Sequence, residues 1–154
     1  MNLRFLPIKT ATAWALRDGT DAYGRPAEQA GPSSGDGAPC RHCLRHVPKG
    51  QPFLIVAHRP FAGLNPYTET GPIFLCADDC PAGGPEFPAA MLTSPDYILR
   101  GYSTDERIVY GTGAVTSTGR IKARCHELFQ RHDVAFIHIR SASNNCFFCR
   151  VERG

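Results

Sequence analysis

Residues 39–58 read PCRHCLRHVPKGQPFLIVAH, and residues 72–84 read PIFLCADDCPAGG. Each stretch joins two closely spaced cysteines to a short apolar run. Cys40 and Cys43 precede Pro52–His58, and Cys76 and Cys80 close Pro72–Ala77. Runs this short and this apolar, flanked by proline and glycine, predict strands buried on both faces. If the two pair antiparallel across the Arg59–Gly71 loop, the start of the first lies beside the end of the second. Both cysteine pairs then reach the same end of the hairpin, in turn-like sequence marked by Pro39, Pro48 and Pro81. Two cysteines two to four residues apart on a turn supply half of a tetrahedral metal site. The reading is therefore a zinc site formed by Cys40, Cys43, Cys76 and Cys80. His42 and His46 are spare ligands in principle and are expected as exposed loop histidines.

Further strands are expected in YILRGYS and RIVYGTGAV, rich in aromatic and β-branched residues, in VAFIHIR (Val134–Arg140) and in the terminal CFFCRVE. Alternation along Val134–Arg140 puts Val134, Phe136, His138 and Arg140 on one face. One main helix is predicted over about 118–131. Ile121, Cys125, Leu128 and Phe129 form its apolar face, and Ser117 or Thr118 is available to cap it. The same spacing buries Cys125 as packing. Gly24–Pro39, rich in Gly, Pro and Ser, reads as a flexible linker, and Pro81–Pro95 reads as a long surface loop. The organisation is thus an N-terminal segment over 1–23 packing on or beside the body, a linker over 24–39, and one α+β domain over 40–154. Its sheet is mainly antiparallel, with zinc-knuckle-like cysteine turns.

The 154 residues suit one domain, and the net charge of +3 does not call for nucleic acid or a membrane surface as partner. Arg41, Arg45 and Lys49 read as a solvated basic loop. No apolar run reaches the roughly 18 residues of a membrane span. Arg4, Pro7 and Lys9 interrupt the start, so a cytoplasmic protein is expected. Seven cysteines in a reducing compartment favour metal or free thiols over a disulfide frame.

Cys146 and Cys149 form the second-choice partner for Cys40 and Cys43. Residues three apart on a strand point to opposite faces, so they chelate together only from a turn. Thiol redox chemistry is a lesser alternative, because neither CxxC opens a helix that would activate its thiolate. A separate pocket is suggested by Arg59, Tyr67 and Glu69 in the loop and by His138, Arg140 and Asn144 near the C-terminus. There Arg59 and Arg140 would fork a carboxylate or phosphate.

PCRHCLRHVPKGQPFLIVAHRPF, NPYTETGPIF with its downstream cysteine, RIVYGTG and IRSASNNC together resemble the bacterial family known as domain of unknown function 1203. The resemblance runs from about Pro39 to Arg150. It implies no activity. In the family pattern histidine is common at the position of Cys76 while Cys80 stays cysteine, which implies a ligand role for both. The functional expectation is a small zinc-binding protein whose metal is structural and which serves as a binding or interaction module. The alternative is an enzyme with an Arg/His/Glu-lined pocket for a small anionic substrate. The expected partner is a small anionic ligand or another protein.

Overall fold

The computed structural model describes all 154 residues. In chain order its elements are β1 (Leu3–Leu6), α1 (Thr10–Asp18), β2 (Glu28–Ala30), β3 (Pro39–Cys40), β4 (Arg45–His46), β5 (Phe53–His58) and β6 (Gly71–Cys76). They continue with β7 (Asp96–Tyr102), β8 (Ala114–Ser117), a 3₁₀ turn (Thr118–Arg120), α2 (Ile121–Leu128), β9 (Phe136–Ser141) and β10 (Phe147–Arg153).

β5 and β6 form the antiparallel hairpin that the cysteine-bearing stretches predict, with Phe53 opposite Cys76 and His58 opposite Gly71. It lies at the centre of a five-stranded sheet ordered β2-β5-β6-β3-β4. Within that sheet β3 runs parallel to β6, Cys40 beside Phe74, while the remaining pairs are antiparallel. A second five-stranded sheet, β1-β10-β9-β7-β8, is antiparallel throughout. The fold is therefore α+β and mainly antiparallel, with its strands divided between two sheets.

α2 covers the second sheet. Ile121, Cys125 and Leu128, at i, i+4 and i+7, are buried against Leu99, Ile137, Ile139 and Val151. Neither Ser117 nor Thr118 caps the helix through its side chain. Thr118 Oγ1 instead donates to the Ser94 carbonyl at 2.5 Å, pinning the helix start to the loop before β7. Cys125 is fully buried, and burial raises its thiol pKa to about 12. Cys125→Ser is expected to cost about 1–3 kcal/mol, the penalty of a buried hydroxyl with a poor partner, without changing bound metal. A chemical melt alongside metal analysis checks both halves of that statement.

α1 covers the first sheet, burying Ala13 and Leu16 with Leu54, Val56, Ile73 and Leu75. The sequence pattern gave no sign of it: its buried positions include an alanine, and its one large residue, Trp14, is exposed. β1 pairs with β10, so residues 1–23 contribute to both halves of the molecule. Residues 24–39 do not hang free as the expected linker. They supply β2 against β5, and the buried Ser33 donates from Oγ to the Val47 carbonyl at 2.7 Å. The expected surface loop over 81–95 likewise plugs the core with Met91 and Leu92. RIVYGTGAV is strand only from Ala114. Tyr110–Gly113 turns through Gly111 at φ 84, where glycine carries no Cβ penalty. No helix is long and apolar enough to cross a membrane.

Candidate metal centre

The register of β3, β5 and β6 brings the two cysteine pairs together. Cys40 ends β3, Cys43 sits in the turn before β4, Cys76 ends β6, and Cys80 lies in the loop beyond it. The four Sγ atoms all lie within 4.8 Å of one another, and Cys40 and Cys80 are 3.9 Å apart with every cysteine a free thiol. Such a cluster can hold a metal ion. The turn is closed by Leu44 N–H donating to the Cys40 carbonyl at 3.0 Å, with Leu44 in the left-handed region at φ 56. The loop after Cys80 crosses the turn at Gly83, whose N–H donates to the His42 carbonyl. A Cβ on residue 83 would sit 2.5 Å from the Cys43 carbonyl oxygen, so only glycine allows this approach.

The sulfurs are electrostatically unequal. Cys40 is held far below the usual thiol range because Cys43, Cys76 and Cys80 can all donate S–H to its thiolate. Those three are pushed up, chiefly through the same contacts with Cys40. One thiolate thus suppresses the ionisation of its neighbours, and a bound cation reverses that, because metal coordination deprotonates thiols. Backbone and side-chain donors add to the negative charge the cluster can carry. Cys76 N–H points at Cys40 Sγ at 3.3 Å. Arg17, from the last turn of α1, donates from Nη2 to Cys80 Sγ at 3.3 Å and from Nε to the Cys76 carbonyl at 3.0 Å.

His42 is buried, not the exposed loop residue expected, and its Nδ1 lies 3.2 Å from Cys80 Sγ. Thr10 Oγ1, at the start of α1, meets its Nε2 at 2.9 Å. His46 is half-buried and meets Thr93 Oγ1 at 3.1 Å. Arg41 corrects the reading of a solvated basic loop. It is buried and donates to the Phe147 and Pro39 carbonyls, both at 2.6 Å, and its guanidinium lies 4.2 Å over the Phe148 ring. Burial lowers its pKa only to about 10, so it stays charged and ties the cysteine turn to β10. A cavity of about 830 Å³ borders three of the four ligand candidates, Cys43, Cys76 and Cys80.

Cys146 and Cys149 lie outside the cluster. Cys149 is buried in the α2 core, where burial keeps its thiol protonated, and Cys146 follows the β9–β10 turn at another cavity. That cavity, of about 490 Å³, gathers Glu69, Arg140 and Asn144 together with His58, Asn145 and Cys146. Arg59 and Tyr67 do not line it. Arg59 donates to the Phe61 and Ala62 carbonyls of its own loop, and Tyr67 meets Tyr110 hydroxyl to hydroxyl at 2.6 Å. The arginine that joins Arg140 at Glu69 is Arg100, at 3.0 Å. His138 lies beneath, fully buried among Phe61, Tyr102, Phe136 and Phe147 with both ring nitrogens unpartnered.

Burial holds His138 well below its ordinary pKa and lowers His58 to about 4. Both rings are therefore neutral in the folded state and protonate more readily in the unfolded chain. Their contribution to stability is complete above about pH 6.5 and is lost as the pH falls toward 4. We expect the unfolding free energy to fall across that window, by about 3 kcal/mol for His58 alone. His58→Phe should flatten the profile in a pH series of urea melts.

A family model described as "Protein of unknown function (DUF1203)" matches residues 37–153, which contain the whole cysteine cluster and both Glu69 and Arg140. No curated protein and no solved structure matches the chain.

Proposed function

We propose that this chain, which belongs to the DUF1203 family of proteins of unknown function, is a binding module fastened by one zinc ion on Cys40, Cys43, Cys76 and Cys80. One observation carries the reading: four sulfurs from two separate segments converge at ligand spacing. A tetrahedron with zinc–sulfur bonds of about 2.3 Å has edges of about 3.8 Å, and Cys40 and Cys80 stand 3.9 Å apart. Four thiolates close the coordination shell, so the ion has no position for water and its role is structural. It joins β3 to β6 and fixes the loop that follows. The surfaces so fixed, including the 830 Å³ cleft, are then left to recognise a partner.

Elemental analysis of protein purified without added metal should return about one zinc per chain. X-ray absorption at the zinc edge should show four sulfur neighbours. A metal-free chain with unchanged stability would defeat the proposal, and three sulfurs plus an oxygen would favour a catalytic ion instead. Arg17→Ala removes a donor from Cys80 and from the Cys76 carbonyl. Outer-shell losses of this kind lower metal affinity by roughly 10–100-fold, and competition with a chromogenic chelator measures it.

A further inference from the structure

We propose that Arg140 anchors a second site, independent of the cysteine cluster, that takes the oxyanion head of a small ligand: a carboxylate or a phosphate. Arg140 is only 4% exposed. Its Nε donates to Asn145 Oδ1 at 3.0 Å, and its Nη2 pairs with Glu69 Oε2. Its Nη1 is buried and has no acceptor. A guanidinium presents five donors and cannot give up its charge. Leaving two of them unmet inside a protein costs about 1–3 kcal/mol per group, and such gaps point to a ligand or water. This one belongs to a residue that lines the 490 Å³ cavity, a volume within the usual range of ligand pockets.

Charge around the cavity has the matching sign: Glu69 and Arg140 line it, and Arg100, outside the lining, shares Glu69. Arg100 and Arg140 both engage the one carboxylate of Glu69, leaving a net positive charge of one. His58 and His138 are neutral and add no charge, and Glu69 is the one carboxylate lining the cavity. Thr70 and Asn144, neutral residues with donor side chains that make no hydrogen bond within the protein, also line the cavity. The turn carrying Asn144 to Cys146 is already set. Ser141 Oγ accepts from the Asn144 and Cys146 N–H groups, and Asn145 holds φ 57 with its side chain on Arg140. A preset turn loses little freedom on binding. Glu69 competes with any incoming anion for Arg140, so its removal should help the ligand even as it harms the fold.

The test is an amide NMR titration of the metal-loaded full chain with acetate and, separately, inorganic phosphate at constant ionic strength. Saturable shifts should appear at Thr68–Gly71 and Asn144–Phe147, with a dissociation constant of about a millimolar for such small probes. The probe that binds more tightly names the head group. Glu69→Gln should tighten binding roughly tenfold by removing the competing charge. Arg140→Lys should weaken it roughly tenfold, since an ammonium loses the planar fork. No saturable shift in either the parent or Glu69→Gln overturns the proposal. So does saturable binding that Glu69→Gln leaves unchanged, which would place the ion elsewhere. Glu69→Gln carries the test if Arg140→Lys fails to fold. Metal content, measured on the same samples, separates failure of this site from failure of the zinc reading.

Discussion

Stripping the ion with a chelator, or replacing Cys43 with serine, is expected to unfold the half of the molecule built on β2-β5-β6-β3-β4. Structural zinc contributes on the order of 10 kcal/mol in small domains, comparable with the whole stability of an ordinary one. The cysteine turns themselves have short ladders. β3 and β4 are two residues each, and β3 meets β6 at one residue pair, Cys40 beside Phe74. Without the cation the thiols compete, with Cys40 suppressing ionisation of the other three. Arg17 and His42 then face a sulfur carrying less negative charge. The α2 core takes only Leu44 from the cysteine turn, so it is expected to lose less with the ion, and Cys125→Ser there should cost only a packing-scale penalty. Hydrogen exchange followed by mass spectrometry should show early loss of protection over residues 39–58 and 71–84, with 121–140 protected longer. Equal melting of Cys43→Ser and the parent would remove the basis for a structural metal.

What could be read from sequence was whatever depends on neighbours a few residues apart. The β5–β6 hairpin follows from two apolar runs and a turn-rich loop. The buried face of α2 follows from Ile121, Cys125 and Leu128. The convergence of four cysteines follows from the hairpin register, which sets Phe53 against Cys76. The missing parts rest on distant contacts. Arg41 and His42 sit in a stretch that composition marks as solvated. Their burial comes from Phe147, 106 residues along the chain from Arg41, and from Thr10 on a helix with almost no apolar signal. The fork expected from Arg59 and Arg140 does not form, and Arg100 is the arginine that meets Arg140 at Glu69. The β7–β9 register shows why Arg100 holds that place. Ile98 faces Arg140 and Arg100 faces His138, so the two arginines are diagonal neighbours on one face of the sheet. Like charges so placed call for a counter-charge, and Glu69 reaches over from the β5–β6 loop to supply it. No property of residues 59–71 alone reveals that.

That arrangement makes Glu69→Ala the second large effect. Removing the carboxylate leaves Arg140 and Arg100, whose side chains are 5% and 17% exposed, as adjacent uncompensated cations. Breaking a fully buried ion pair by deleting one partner costs about 3–5 kcal/mol. Glu69 itself is a third exposed, so about 2–4 kcal/mol is expected once solvent screening is allowed for. For a chain of this size that lowers the melting temperature by roughly 5–12 °C. The loss belongs to charges left behind rather than to a favourable pair destroyed, and the two can be separated. If stranded charge is the cause, adding Arg100→Met to Glu69→Ala should recover much of the stability, because an apolar side chain of similar length needs no partner. If the ion pair were itself the favourable element, the double variant would be no better than the single one. Added acetate or phosphate should also raise the melting temperature of Glu69→Ala more than that of the parent, since the anion takes the position the carboxylate vacated. Equal shifts in both proteins would mean that salt acts on the chain at large, and the arginine pair would then have no special claim on anions.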